Sequence, residues 1–246
     1  MQLLQVISLL LDYPTEDLTK SRQEIVELIS KSSLSETCRQ PLLHFVQQRF
    51  NGDLMEWQAD YDSLFERGRS LSLLLFEHLH GESRDRGQAM VDLQAQYKSA
   101  GLEISLKELP DYVPLYLEFL STQGDENAKY GLQEVAPILG LLAARLHQRD
   151  CDYQVLFNAL LEVSEADIDV TDLLKQISAE KRDDTPNELD KVWEEEMVSF
   201  MSAQSENSCP SSQHKPSEGQ RRDQFVPINT DLLNASSLAR NAGVSS

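Results

Sequence analysis

The chain has 246 residues, with 41 Asp and Glu against 22 Lys and Arg, a formal net charge of -19. The last 44 residues hold four of each sign, so the whole imbalance sits on residues 1–202. Unless the charge serves solubility alone, such a body repels nucleic acid and anionic lipid headgroups and favours cationic partners.

Cys38, Cys151 and Cys209 are odd in number and far apart, which speaks against a disulfide framework or a metal knuckle and fits a reducing cytoplasm. The chain begins with an apolar stretch that lacks a basic n-region. Asp12 and Pro14 end it well short of the roughly 20 residues a membrane span needs. It reads as a core helix, not a signal peptide.

In chain order, Leu3, Val6, Ile7, Leu10 and Leu11 predict a first amphipathic helix, stopped at Tyr13-Pro14. Thr15 caps a second, with Leu18, Ile25, Leu28 and Ile29 on one face. Residues 41–50 form a third, closed by Asn51-Gly52. Leu54, Trp57, Tyr61, Leu64 and Phe65 recur at helical spacing and lead into residues 64–90, the stretch around which the chain is organised. There Leu71, Leu75 and Leu79 stack at intervals of four, with Arg86, Met90 and Leu93 continuing the line. Charged residues entering an apolar stripe must be paired or lie beside a cleft. The expectation is a central helical hairpin whose polar half faces something.

Tyr97 also points inward and Gly101 ends that helix. Leu102, Ile104 and Leu106 alternate as a strand would, but the segment is short and isolated and reads as an extended connector. Pro110 starts the next helix, with Val113, Tyr116, Leu117 and Leu120; Pro114, one turn later, shifts the start or kinks it. Leu132, Val135, Leu139, Leu142 and Leu146 mark a long helix, strained or begun at Pro137. Residues 153–163 and 170–177 give two more, separated by an acidic loop. Thr185-Pro-Asn-Glu188 is a capping box opening a helix through Leu189, Val192, Trp193 and Phe200. From about residue 203 the composition turns to Ser, Asn, Gln and Pro, which reads as a disordered tail with Phe225, Val226, Ile228, Leu232 and Leu233 as a short docking segment.

Little in this pattern points to catalysis. His78-Leu-His80, with Glu77 and Glu82 nearby, is poorly spaced for a metal, because residues two apart on a helix diverge. No nucleophile elbow or phosphate-binding glycine loop is present. Arg67 and Arg69 around Gly68, with Arg84 and Arg86, hold an anion or pair with Glu66, Glu77, Glu82 or Asp85; pairing is the commoner explanation. Glu108-Leu-Pro-Asp-Tyr112 puts two carboxylates and a phenol at a connector-to-helix junction. That is either part of a binding groove or a helix N-terminus stabilised by acid groups.

Six segments carry a family resemblance: Tyr61-Asp-Ser-Leu-Phe-Glu-Arg-Gly-Arg69, Leu73-Leu-Leu-Phe-Glu-His78, His80-Gly-Glu-Ser-Arg-Asp-Arg-Gly-Gln-Ala-Met-Val-Asp-Leu93, Glu108-Leu-Pro-Asp-Tyr-Val-Pro-Leu-Tyr-Leu-Glu118, Arg182-Asp-Asp-Thr-Pro186 and Val192-Trp-Glu-Glu-Glu196. Over about residues 1–202 the chain resembles the NarJ/NarW chaperones of respiratory nitrate reductase. The resemblance implies the all-α fold of the TorD/DmsD redox-enzyme maturation proteins: one helical domain of about nine to eleven helices over residues 1–202, followed by a polar tail over 203–246. It implies a role rather than a reaction. The chaperone holds the apo catalytic (alpha) subunit, including its N-terminal segment, while molybdenum cofactor and iron–sulfur clusters are inserted and before membrane docking. It needs no cofactor or metal of its own, binds no nucleic acid, inserts into no membrane and does not join the final enzyme. In the wider superfamily a Glu-Pro-x-Asp-His motif lies near the client peptide. Glu108 and Asp111 match its acids, while Leu109 and Tyr112 replace the proline and histidine. The client-binding residues expected on these grounds are Leu75, Phe76, Leu79, Arg86, Met90, Glu108, Asp111, Tyr112 and Tyr116. A general helical peptide-binding adaptor for another client is the alternative.

Overall fold

Leu4, Ile7, Leu10 and Leu11 of the first helix are fully buried, and around them the described part of the chain assembles from helices alone. The computed structural model describes residues 1–79, 84–104, 108–180, 183 and 190. Every described residue belongs to one compact unit, Met1–Glu195. In order the helices are α1 (Gln2–Leu11), α2 (Glu16–Lys20), α3 (Arg22–Ser30), α4 (Glu36–Asn51), α5 (Leu54–Phe65), α6 (Leu75–Leu79), α7 (Arg84–Ser99), α8 (Val113–Thr122), α9 (Asp125–Gln148), α10 (Gln154–Ser164) and α11 (Val170–Ile177). The fold is all-α, as the periodicity predicts. The expected capping box at Thr185, its helix and the tail after residue 203 lie outside the described residues.

Helix α9 is the axis. Ala128, Leu132, Ala136, Leu139, Ala143 and Leu146 recur every three or four residues and are all buried, and the small ones let α10 come close. Helices α8, α10 and α11 pack on α9, α1 packs on α8, and α4 packs on α3 and α10. An aromatic cluster fills the space between α4, α5 and α10. The Tyr153 ring meets Phe45 and Phe65 edge-on at 5.1 Å each, and the Trp57 indole N–H donates to the Tyr153 hydroxyl at 2.7 Å.

Several element boundaries differ from expectation, each for a local reason. Thr15 does cap, accepting the Leu18 N–H, but the helix breaks at Ser21, whose N–H turns back to Leu18. Helix α4 starts at Glu36 and carries Pro41 inside it, because the carboxylate of Glu162 takes the Ser35 N–H and hydroxyl and so organises an earlier N-terminus. Helix α8 begins at Val113, after Pro110, with Pro114 in its first turn. Pro137 sits within α9 rather than at its start, forfeiting one backbone bond. The largest departure is at residues 71–75, described next.

Candidate functional site

After α5 the chain leaves helical geometry. Gly68 has φ +88, and Leu71, Leu73 and Leu75 are all buried. Ser72 between them is buried too, so residues 71–73 are enclosed on every side, unlike the one-sided stripe predicted for a helix. The partner that imposes it is the segment before α8. Val113 N–H donates to the Leu73 carbonyl at 2.8 Å and Leu75 N–H to the Asp111 carbonyl at 2.9 Å. Leu74 and Tyr112 thereby form an isolated antiparallel bridge, and no helix forms until α6 at Leu75. The central hairpin of the sequence reading is corrected accordingly: α6 is five residues long and Leu71 lies outside it.

Asp111 completes this join. Its residue is 0% exposed, and its Oδ2 accepts the Phe76 N–H at 3.1 Å, while Oδ1 has no hydrogen-bond partner. Burial raises its pKa above the ordinary aspartate value, opposed by the Phe76 N–H and by the charge of Arg86. Arg86 itself reaches Glu77 at 3.5 Å, the pairing that is commoner than anion binding. His78 Nε2 donates to the Ser72 carbonyl at 2.8 Å, and burial lowers the pKa of the ring. Among the described residues no group of His, Cys, Asp and Glu is arranged to hold a metal, and no helix is long and apolar enough to cross a membrane.

Tyr112 is half-buried. Its hydroxyl donates to Asp12 Oδ1 at 3.0 Å and lies 3.0 Å from the Tyr61 hydroxyl, which in turn donates to the Leu11 carbonyl. The end of α1, α5 and the α8 junction are thus tied at one point. Tyr116 is buried and donates to the Gly131 carbonyl of α9 at 3.1 Å. Of the nine residues expected to meet a client, Leu75, Asp111 and Tyr116 are inside the core. Phe76, Arg86, Met90 and Tyr112 are half-buried and Glu108 is exposed. Leu79 ends α6, and its side chain is outside the description. The bridge brings Leu75 and Phe76 to Asp111 and Tyr112; Met90 lies one turn beyond Arg86 on α7.

Two features had no place in the sequence reading. Asp183 docks on the turn after α5: Ser70 donates to it through its N–H at 2.7 Å and its hydroxyl at 2.6 Å, and Arg149 donates at 3.0 Å. Arg145 holds Glu180 through two nitrogens, at 2.9 and 3.1 Å, and the Ser70 carbonyl at 2.9 Å. The signal available was Gly68 between two arginines, a place built for close approach. The second feature is an open groove of about 480 Å³ beside α7, floored by Val91, Ala95, Leu102 and Ile104. Its signal was Val91, an apolar residue on the outer face of α7.

A family model described as nitrate reductase delta subunit matches residues 31–159. The chain is 47% identical over 213 residues to the "Probable nitrate reductase molybdenum cofactor assembly chaperone NarW" of Escherichia coli (strain K12), covering 86% of this chain and 89% of that protein. It is 50% identical over 198 residues to the nitrate reductase molybdenum cofactor assembly chaperone NarJ of the same organism, covering 80% and 84%. A Bacillus subtilis (strain 168) protein, "Probable nitrate reductase molybdenum cofactor assembly chaperone NarJ", is 30% identical over 159 residues, covering 65% and 86%.

Proposed function

This chain belongs to the nitrate reductase delta subunit family, with the NarJ/NarW assembly chaperones, and from that premise we propose that it binds the apo catalytic (alpha) subunit of a respiratory nitrate reductase. It holds that subunit, including its N-terminal segment, in the cytoplasm until molybdenum cofactor and iron–sulfur clusters are in place, and then releases it for membrane docking. The family consists of assembly chaperones, not catalysts, so the work of the chain is recognition.

The observation that carries this reading is the join between the two motif-bearing segments. The Leu74–Tyr112 bridge and the Asp111–Phe76 bond unite residues 73–78 with residues 108–118. The client surface we propose consists of Phe76, Arg86, Met90, Glu108 and Tyr112, while buried Leu75, Asp111 and Tyr116 hold that surface in shape. Apolar contacts there supply affinity, and the acidic body supplies encounter rate with a basic amphipathic segment.

The test is co-purification from nitrate-respiring cells followed by metal analysis of the captured subunit. The tagged full chain is expected to retain a molybdenum-free catalytic subunit, and cells without the chain to accumulate that subunit without molybdenum. A normal molybdenum content in cells lacking the chain would sink the proposal. Recovery of a different protein as the stoichiometric partner would favour a general peptide adaptor.

A further inference from the structure

A buried carboxylate that accepts a single hydrogen bond is an unfinished arrangement, because nearly every buried polar atom of a folded chain has a partner. Asp111 is in that condition. It is 0% exposed and its Oδ2 accepts from Phe76, while among the described residues its Oδ1 has no donor. A charged donor stands close by: Arg86, in the first turn of α7, acts on the Asp111 carboxyl through its positive charge. Arg86 is instead turned to Glu77, with 3.5 Å between guanidinium nitrogen and carboxylate oxygen, well beyond the roughly 2.7–2.9 Å of a charge-assisted hydrogen bond. Glu77 directly follows Phe76 in α6. One arginine therefore serves two carboxylates, a half-buried one that it holds loosely and a fully buried one that lacks a donor.

The charge on Glu77 decides between the two. Its attraction keeps the guanidinium outside, where water partly screens the pair, and its negative charge also acts against ionisation of Asp111. Passing to Asp111 gives Oδ1 a donor and offsets the burial of that carboxylate, at the cost of drawing the guanidinium further from water. Neutralising Glu77 with an incoming cation removes the competing attraction and the repulsion together. The other charged or titratable groups beside α6 are already engaged. His78 is turned to the Ser72 carbonyl, and Arg145 of α9 is held by Glu180 and the Ser70 carbonyl. Glu77 lies between Phe76 and Arg86 of the proposed client surface, and a body of net charge -19 draws cationic groups to it.

We propose that Arg86 is a transferable cation: a basic side chain of the client pairs with Glu77, and Arg86 passes to the buried Oδ1 of Asp111. Glu77, which is outside the expected set of client residues, then reads the charge of the client. The transfer carries that reading into the join between α6 and α8, because the same aspartate accepts from both Leu75 and Phe76. This rests on the client reading above and adds to it a charge-sensing step inside the fold, in which occupancy at Glu77 and order at the join are coupled.

The experiment is amide hydrogen exchange of the full chain at Leu75 and Phe76, corrected for intrinsic exchange rates. Glu77→Gln imitates the neutralised state. It is expected to slow exchange at both amides about tenfold, and Glu77→Gln combined with Arg86→Gln to lose that slowing. A synthetic peptide of the first residues of the nitrate reductase catalytic subunit is expected to slow the same amides in the unaltered chain but not in the Arg86→Gln chain. The same peptide with its basic residues replaced by glutamine is expected to leave them unchanged. Unchanged or faster exchange in Glu77→Gln, or slowing that survives Arg86→Gln, would overturn the transfer. Slowing by the glutamine-substituted peptide would show that contact alone protects these amides, and would remove Glu77 as the sensor. If the unaltered chain bound neither peptide, the client reading would fall, while Glu77→Gln would still decide whether Arg86 changes partner.

Discussion

The Asp111 carboxylate accepts the backbone N–H of Phe76 at 3.1 Å from 35 residues away, and the main chain of the same aspartate accepts the N–H of Leu75. Helix α6 follows Leu74, which has no side-chain acceptor to cap it. The donors at its first turn would otherwise be buried without partners, at a cost of about 1–3 kcal/mol each. The cap is supplied from another segment, and the same aspartate that caps α6 also joins it to α8. A residue that resembles an exposed recognition acid is therefore an architectural one.

Asp111→Ala should accordingly destabilise the fold by about 1–3 kcal/mol, and Asp111→Asn by much less, since the amide oxygen can still accept from Phe76. The sign of the pH effect separates the two. Burial raises the carboxyl pKa, so the folded chain holds this proton more tightly than the unfolded chain. That contribution favours folding below the ordinary aspartate value of about 3.9 and fades as pH rises above it. Urea unfolding across the acidic to neutral range should show Asp111→Asn gaining on the unaltered chain as pH rises. A constant difference between the two would mean that the carboxyl is not perturbed by folding.

Gly68 and Gly101 both have positive φ, +88 and +81, but only one is crowded. A Cβ on Gly68 would lie 2.8 Å from Asp183 Oδ2, whereas one on Gly101 would meet nothing within 4 Å. Gly101→Ala should cost about 1 kcal/mol for backbone strain alone. Gly68→Ala should cost about 3 kcal/mol, because it also displaces the carboxylate held by Ser70 and Arg149. Chemical denaturation of the two variants measures this directly, and equal losses would show that Asp183 is not seated on the turn.

What could be read from sequence here was local. Thr15 accepting from Leu18, Asp53 accepting from Met55 and Glu56 and the turn at Gly101 each act within a few residues, so their signals are intact in the chain. The stretch at Leu71 contained two periods at once, 71–75–79 and 71–73–75. Pairing of Leu74 with Tyr112, a contact that neither segment announces, delays the helix to Leu75. Asp111 was expected to meet the client because it matches an acid of the superfamily motif at a connector-to-helix junction. It is buried because Phe76 lacks a cap, which becomes visible only once α6 is seen to begin at Leu75. The α7 groove was hidden for a similar reason: Leu102 and Ile104 signalled extended chain, but not the direction in which the chain returns.

Tyr112 belongs both to the proposed client surface and to the tie with Asp12 and Tyr61, and two substitutions separate the two roles. Tyr112→Phe keeps the ring and removes the hydroxyl that donates to Asp12; it should cost about 1 kcal/mol of stability and leave peptide affinity unchanged. Tyr112→Ala also removes the half-buried ring and should lose about 3 kcal/mol of stability, together with affinity. Melting curves and peptide titration on the same samples make the comparison. If Tyr112→Phe lost as much affinity as Tyr112→Ala, the hydroxyl rather than the ring would be the client contact.

Arg49 holds α4 to two other parts of the fold at once. Its Nε and Nη2 meet the two oxygens of Asp152 at 2.9 and 2.6 Å, its Nη1 meets Asp60 at 2.7 Å, and its guanidinium lies 5.2 Å from the Tyr153 ring centroid. With its side chain 15% exposed, the interaction is less screened than a surface pair. Lysine cannot reproduce a planar fork that also stacks on an aromatic ring. Arg49→Lys should cost about 1–2 kcal/mol, and combining it with Asp152→Asn should add little more, because both remove the same contact. A double-mutant cycle by denaturant unfolding should give a coupling of about 1 kcal/mol that persists at high salt. Additivity within about 0.3–0.5 kcal/mol would show that the fork contributes nothing to holding the α9–α10 turn against α4.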